Sequence, residues 1–357
     1  MIGNKSRLLC HKGDKICCSL CFILKIFAGI PDKLQFYFHY ALAVQAQTGY
    51  NSSLSRTLYC EKRIHSIISM ILPPDDEIKK QVQQALDEDL GSNTNHQFSD
   101  QDVTASLISD AKDAKAQLIC RENAILCGSH WFDSAFKLLN NNIQITWNFK
   151  DGEELHTNDV ICEITGNARH ILTAERTALN FLQTLSATAT QTQLYVKAIE
   201  KTGCKILDTR KTIPGLRLAQ KYAVACGGGV NHRVGLYDMV LIKENHIHAA
   251  GSIEAAVATA RNQFKNLKIE VEVENIDELQ QAFDSNVDRI LLDNMNIPTL
   301  KKAVQLNNKE IDLEASGNIT LATIRTIAET GVNYISTGAI TKNINAIDFS
   351  LRLIDEN

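Results

Sequence analysis

From residue 203 onward the chain repeats one pattern: a short run rich in Ile, Leu and Val, a polar or charged cluster, then a stretch with helical spacing. The runs fall at 205–207, 239–242, 269–273, 289–292, 311–313 and 334–335, and the last four recur about every twenty to twenty-two residues. One strand plus one crossover helix fills that length, so the pattern predicts parallel βα units. Most runs are continuously apolar, as expected of strands covered on both faces. A parallel α/β barrel or an open parallel sheet follows. With 357 residues and 44% hydrophobic side chains the chain has material for one large domain or two ordinary ones. Its formal charge of -4 leaves no general basic surface for nucleic acid.

Upstream the organisation changes. Residues 1–69 carry nine Lys or Arg and three acids, a charge of +6 against -10 for the remainder. Five cysteines (10, 17, 18, 21 and 60) fall in this stretch, and the other five (120, 127, 162, 204 and 226) are scattered singly, which is no disulfide framework. Cys18 and Cys21 form one CxxC without a second ligand pair for zinc. The apolar run 16–30 resembles a signal-peptide core, but Lys25 interrupts it and it is too short to span a membrane. The reading preferred here is poorly ordered sequence ahead of a start near Met70. Ile78, Val82 and Leu86 then recur every four residues until Gly91, a helix that Asp75 or Asp76 can cap. Apolar runs at 116–120, 143–147 and 160–164 alternate with helical stretches, and 172–199 reads as one long helix between two domains.

The chemistry lies in the clusters after the runs. They are 208–212 (Asp-Thr-Arg-Lys-Thr), 243–246 (Lys-Glu-Asn-His), Glu272 with Glu274, Asp293 with Asn294, Ser316 with Gly317, and Thr337 with Gly338. In a barrel of βα units all carboxyl ends of strands meet at one rim, where active sites lie. Arg210, Lys211, His232, Arg233 and Lys243 supply positive charge there, a set suited to a ligand carrying several anionic groups. Glu272, Glu274 and Asp293 supply negative charge, suited to magnesium or sugar hydroxyls. Glu270, Glu272 and Glu274 share one face of their strand, which describes either a solvated edge or a hydroxyl and metal site. Ser316-Gly317 and Thr337-Gly338 let a phosphate approach backbone N–H groups, with a following helix directing its positive end there. Gly227, Gly228 and Gly229 read as a tight, mobile loop. Lys243 also admits a Schiff-base aldolase reading.

Five segments together carry a specific resemblance: 208–212 with Pro214-Gly215, Gly227 to Arg233, 241–246, 272–274 and 291–294. Their order and spacing, over about residues 70–357, are similar to the quinolinate phosphoribosyltransferase family. The resemblance implies an amino-terminal α/β sandwich at 70–178, completed by the tail 342–357, and an open seven-stranded α/β barrel at 179–341. Residues 1–69 have no family counterpart, and 92–99 lengthen a link. It implies transfer of phosphoribose from phosphoribosyl pyrophosphate to quinolinate with decarboxylation, using magnesium, in a cytoplasmic homodimer or hexamer with shared sites and no nucleic-acid or membrane partner. A relative acting on nicotinate, with one carboxylate fewer, is the alternative. By the same correspondence Arg210, His232, Arg233 and Lys243 meet quinolinate, Lys211 lies between the substrates, and Arg176 reaches the neighbouring subunit's site. Glu272 and Asp293 face ribose hydroxyls and magnesium, Ser316, Gly317 and Gly338 hold the 5'-phosphate, and Lys211, Glu272 and Asp293 carry the catalytic roles.

Overall fold

The computed structural model describes residues 72–91, 102–308 and 310–354. The readings made for the first 69 residues, the start near Met70 and the link 92–99 lie outside the described residues. No helix among those described is long and apolar enough to cross a membrane.

Helix α1 (Asp75–Leu90) buries Ile78, Val82 and Leu86 as its four-residue spacing requires. Its N-cap is Pro74 without a side-chain hydrogen bond, so Asp75 and Asp76 do not cap it. They sit in the first turn instead, where carboxylates complement the positive end of the helix. Then come β1 (Asp113–Cys120), β2 (Ala124–Ile125), α2 (Ser129–Leu139), β3 (Gln144–Trp147), β4 (Glu154–Leu155) and β5 (Val160–Asn167). Trp131, Phe132 and Phe136 of α2 are fully buried, and Trp131 Nε1 donates to Gln81 Oε1 of α1 at 2.8 Å. The long helix α3 (Ala168–Ala198) is capped by Asn167, whose side chain accepts from the His170 N–H. It buries residues along its whole length, because the first domain packs on one part and the parallel sheet on another.

The parallel half follows as β6 (Lys205–Leu207), α4 (Arg217–Cys226), β7 (Val240–Ile242), α5 (Glu244–Ala250), α6 (Ile253–Gln263), β8 (Ile269–Val273), α7 (Ile276–Phe283), β9 (Arg289–Asp293), α8 (Ile297–Asn307), β10 (Asp312–Ser316), α9 (Ile324–Ala328), β11 (Tyr334–Ser336) and α10 (Ala339–Lys342). The last strand, β12 (Phe349–Ile354), returns to the first domain and pairs antiparallel with β1, giving the sheet order β12-β1-β5-β3. The parallel sheet runs β6-β11-β10-β9-β8-β7, and its end strands do not pair, so it is open. It has six strands where the resemblance implies seven. Val230 adds one parallel bridge to Leu207 and no more, because the chain leaves at once for the Asn231-His232-Arg233 turn.

Register decides what each strand contributes. On β8 Ile269, Val271 and Val273 join the core under the helices, with Ile290 and Leu292 of β9 and Leu313 and Ala315 of β10. Their alternates, Glu270, Glu272, Arg289, Asp293, Glu314 and Ser316, therefore face the other way, into the barrel interior and its rim. β8 lies between β7 and β9, so Glu270 and Glu272 are not on a solvated edge; Glu270 is wholly buried, whereas Glu274 lies past the end of the strand and is exposed.

Candidate active site

At the carboxyl ends of the parallel strands lies a cleft of about 880 Å³. It brings together Arg210, Lys211, His232, Arg233, Lys243, Glu272, Asp293, Ser316, Gly317 and Gly338, but neither Glu274, which lines a separate pocket with Glu244 and His248, nor Arg176. Arg176 is exposed on α3 and does not line this cleft.

The basic side is built on buried support. Asp208 directly follows β6 and is completely buried, and Lys221 Nζ of α4 donates to its Oδ1 at 2.6 Å. Burial pushes the Asp208 carboxyl up to about 6 despite the opposing pull of Lys221. The same oxygen accepts the His232 N–H at 2.8 Å, while Lys221 donates to the His232 carbonyl at 2.9 Å. Neighbouring Arg233 is held by its guanidinium donating to the Met239 carbonyl at 3.3 Å. Burial, and then the nearby charge of Arg210, lower its pKa, the electrostatic signature of cations waiting for an anion. Lys211 is tied through its carbonyl, which accepts from Thr341 Oγ1 at 2.8 Å, and its N–H, which donates to Thr209 Oγ1 at 3.1 Å.

On the acidic side Lys243 Nζ forms an ion pair with Glu272, joining the two halves of the cleft. Asp293 closes β9 and accepts from Asn294 Nδ2 at 2.7 Å. Gly317 then has φ +97°, and a Cβ there would lie 2.1 Å from Asn294 Oδ1, so only glycine lets β10 leave the sheet beside that residue. Gly338 leads directly into α10, whereas residues 318–323 separate Gly317 from the start of α9; the expected helix after each glycine holds for one of the two.

Two of the three glycines at 227–229 are pressed against neighbouring helices. A Cβ on Gly227 would lie 2.3 Å from the Ala189 carbonyl, and one on Gly229 would lie 2.7 Å from both Thr192 Cγ2 and Val224 Cγ1. Close approach to α3 explains Gly227 and Gly229, whereas Gly228 has a φ of +84° and only ordinary contact with Val196. Sequence reasoning also missed Asn318, Thr320, Lys342 and Glu314, which line the cleft. Glu314 left a signal, an acid alternating with Leu313 and Ala315 in an otherwise apolar strand.

At the floor of the cleft His232 and Glu314, which line it, form a buried cluster with Glu270. His232 Nε2 lies 3.0 Å from Glu270 Oε2 and 3.3 Å from Glu314 Oε2. Burial disfavours charge on the ring, but the two carboxylates outweigh it and raise its pKa to about 9. The Arg233 N–H donates to Nδ1 at 2.7 Å and opposes that second proton, since a protonated Nδ1 cannot accept. Burial, followed by repulsion from Glu314, pushes Glu270 up to about 7. Arg289 Nη1 donates to Glu314 Oε2 at 3.1 Å and its guanidinium lies 4.4 Å over the Tyr334 ring.

With this geometry in hand, two family models match the chain: the quinolinate phosphoribosyl transferase N-terminal domain over residues 102–186 and its C-terminal domain over 188–352. The probable carboxylating nicotinate-nucleotide pyrophosphorylase of Bacillus subtilis (strain 168) is 39% identical over 276 residues, covering 77% of this chain and 93% of its own. The carboxylating, chloroplastic protein of that name from Arabidopsis thaliana is 39% identical over 303 residues, covering 79% of this chain and 84% of its own. A solved structure of the nicotinate-nucleotide pyrophosphorylase from Francisella tularensis superimposes with a TM-score of 0.76 at 48% identity, over 80% of this chain and 99% of that one.

Proposed function

The chain belongs to the quinolinate phosphoribosyltransferase family, and we propose that its cleft performs the family reaction with the residues brought together there. That reaction joins the phosphoribosyl group of phosphoribosyl pyrophosphate to quinolinate and releases carbon dioxide and pyrophosphate, giving nicotinate mononucleotide for de novo NAD synthesis. The observation that carries the assignment of roles is the division of one cleft by charge. Arg210, Lys211, Arg233 and Lys243 line one part, Glu272 and Asp293 the other, and Ser316, Gly317 and Gly338 the rest.

Arg210 and Arg233 pair with the two carboxylates of quinolinate, joined by Lys243, which exchanges part of its contact with Glu272 for the ligand. His232 borders the same pocket. Glu272 and Asp293 hold the ribose hydroxyls and face the anomeric carbon, where positive charge develops as pyrophosphate departs. The hydroxyl of Ser316 and the backbone at Gly317 and Gly338 take the 5'-phosphate. Lys211, lying between the substrates, neutralises the leaving group. The pyridine nitrogen then forms the new bond to the sugar, the cationic ring stabilises the electron pair left on the adjacent carbon when its carboxylate departs as carbon dioxide, and that carbon takes up a proton from water. The chain's work is alignment and electrostatics, with no covalent nucleophile.

Magnesium fits the acidic side. Glu272 and Asp293 offer hard oxygen donors in one cleft, and magnesium typically takes one or two carboxylates together with substrate phosphates. Bound there, it would supply charge neutralisation to the departing pyrophosphate.

The assembly we infer is a homodimer, alone or within a hexamer, in which Arg176 completes the partner's cleft. Its exposure and its absence from its own cleft support that reading. The five cysteines at 120, 127, 162, 204 and 226 are free thiols, which favours a reducing compartment such as the cytoplasm.

The test is incubation of the purified chain with quinolinate, phosphoribosyl pyrophosphate and magnesium. Nicotinate mononucleotide and labelled carbon dioxide are expected in equal amounts, and chelation should stop both. Product from nicotinate but none from quinolinate would overturn the assignment.

A further inference from the structure

The two segments that carry the arginines of the cleft separate soon after the sheet ends. Val230 pairs once with Leu207, and the Asp208 N–H donates to the Val230 carbonyl at 3.2 Å. Beyond that point no backbone hydrogen bond joins 209–216 to 231–238 among the described residues. Arg210 lies on the first segment and Arg233 on the second. Both line the cleft, and the Arg233 pKa is lowered by burial and then by the charge of Arg210. Two like charges on separate loops drift apart unless something holds the loops together.

Arg217 makes that connection. It opens α4, a helix that buries every residue from Ala219 to Cys226, so its backbone is a fixed base. Its guanidinium donates to both segments: Nε to Thr212 Oγ1 at 3.2 Å, Nη1 to the Val234 carbonyl at 3.2 Å and, at a longer 3.4 Å, Nη2 to the Arg210 carbonyl. The second segment responds as one piece, because the Asp238 carboxylate accepts the Val234 N–H at 2.6 Å and the Gly235 N–H at 2.8 Å. A hold on Val234 is therefore a hold on its neighbour Arg233. All three acceptors of Arg217 are neutral oxygens, and Arg217 does not itself line the cleft. Its charge adds repulsion to two other cations; what it contributes is a planar fork whose donors point in several directions at once.

We propose that Arg217 is a positioning residue that sets the separation of Arg210 and Arg233, and thereby the preference of the cleft for a ligand with two adjacent carboxylates over one with a single carboxylate. The proposal rests on the reading of this cleft as a quinolinate site. A lone carboxylate needs one guanidinium and is indifferent to the distance of a second. Two carboxylates on neighbouring ring carbons need both at one spacing, so loosening the link weakens the diacid and spares the monoacid.

Arg217→Lys tests this, since it keeps the charge but replaces the fork with one ammonium that cannot match acceptors placed around a planar group. Quinolinate binding to the full chain is read by calorimetric titration, and nicotinate binding by competition with quinolinate. In Arg217→Lys the quinolinate dissociation constant should rise roughly tenfold while that of nicotinate stays within about twofold. Thr212→Val, which keeps the shape but removes one acceptor, should weaken quinolinate by about threefold with the same selectivity. Unchanged quinolinate affinity in Arg217→Lys, or in Thr212→Val where Arg217→Lys does not fold, overturns the proposal. Equal weakening of both ligands overturns it too, because that marks loss of the loops and not of their spacing. An unaltered chain that binds no quinolinate overturns the reading of the cleft itself, an outcome seen before any variant is made.

Discussion

The core around α2 packs Trp131, Phe132 and Phe136 among aliphatic side chains, and every fully buried charged group among the described residues lies in the other half. There Glu270 and Glu314 of the parallel sheet, Asp208 and His232 beside it and Lys221 of α4 are buried together. The first interior is held by area removed from water, which is insensitive to the direction of any one bond. The second is held by groups that each need a partner, because an unpaired charge in that position is costly. The contrast teaches where rigidity serves packing and where it serves the cleft: the buried ions sit directly under the residues that face the ligand. Such ions fix a single arrangement of the strand ends at some cost in stability.

The comparison can be broken most sharply at its largest effects. Lys221→Met should destabilise the fold by about 3–5 kcal/mol, because it leaves Asp208 buried without its cation. Urea unfolding measures this, and a variant as stable as the parent would remove the claim that the pair supports the barrel. Phe132→Ala should cost a similar 3–5 kcal/mol through a cavity in the first core. In contrast to Lys221→Met, its activity per folded molecule should change little; equal damage to activity would show that the two interiors are not separable.

Smaller effects sharpen the same division. Arg210→Ala should weaken quinolinate binding by about 2–5 kcal/mol, since a carboxylate of the ligand loses its partner, with little change in unfolding. Calorimetric titration reads the binding loss, and unchanged affinity would displace Arg210 from the site. Mixing Arg176→Ala chains with Asp293→Ala chains should restore up to about one intact cleft per hybrid dimer, detected as recovered turnover; no recovery would count against a shared cleft. Least affected should be Lys115→Ala, which breaks a half-exposed pair with Glu163 at 2.7 Å. Its cost should stay below about 1 kcal/mol, with activity unchanged.

Much of this was readable before the fold. The six parallel strands lie within one to three residues of the apolar runs, since strand and helix periodicity are local properties of the chain. Ten rim residues in one cleft were likewise recognisable, because βα units place each strand end at a common rim. Glu314 and Lys342 were missed for the opposite reason. Their use depends on which way a strand alternates or where a short helix ends, and neither leaves a motif. The packing of Gly227 and Gly229 was missed because composition does not show that a glycine is pressed against Ala189 and Thr192.

What the amino-acid order settled by itself was the succession of βα units and the kinds of charge at their ends, both consequences of neighbours in sequence. Tertiary structure alone decided which acids became interior and which stayed at the rim, turning Glu270 into a buried companion of His232 two residues from cleft-lining Glu272. The physical reason is that a side chain's charge and contacts depend on what surrounds it, and those surroundings come from strands and helices far away along the chain.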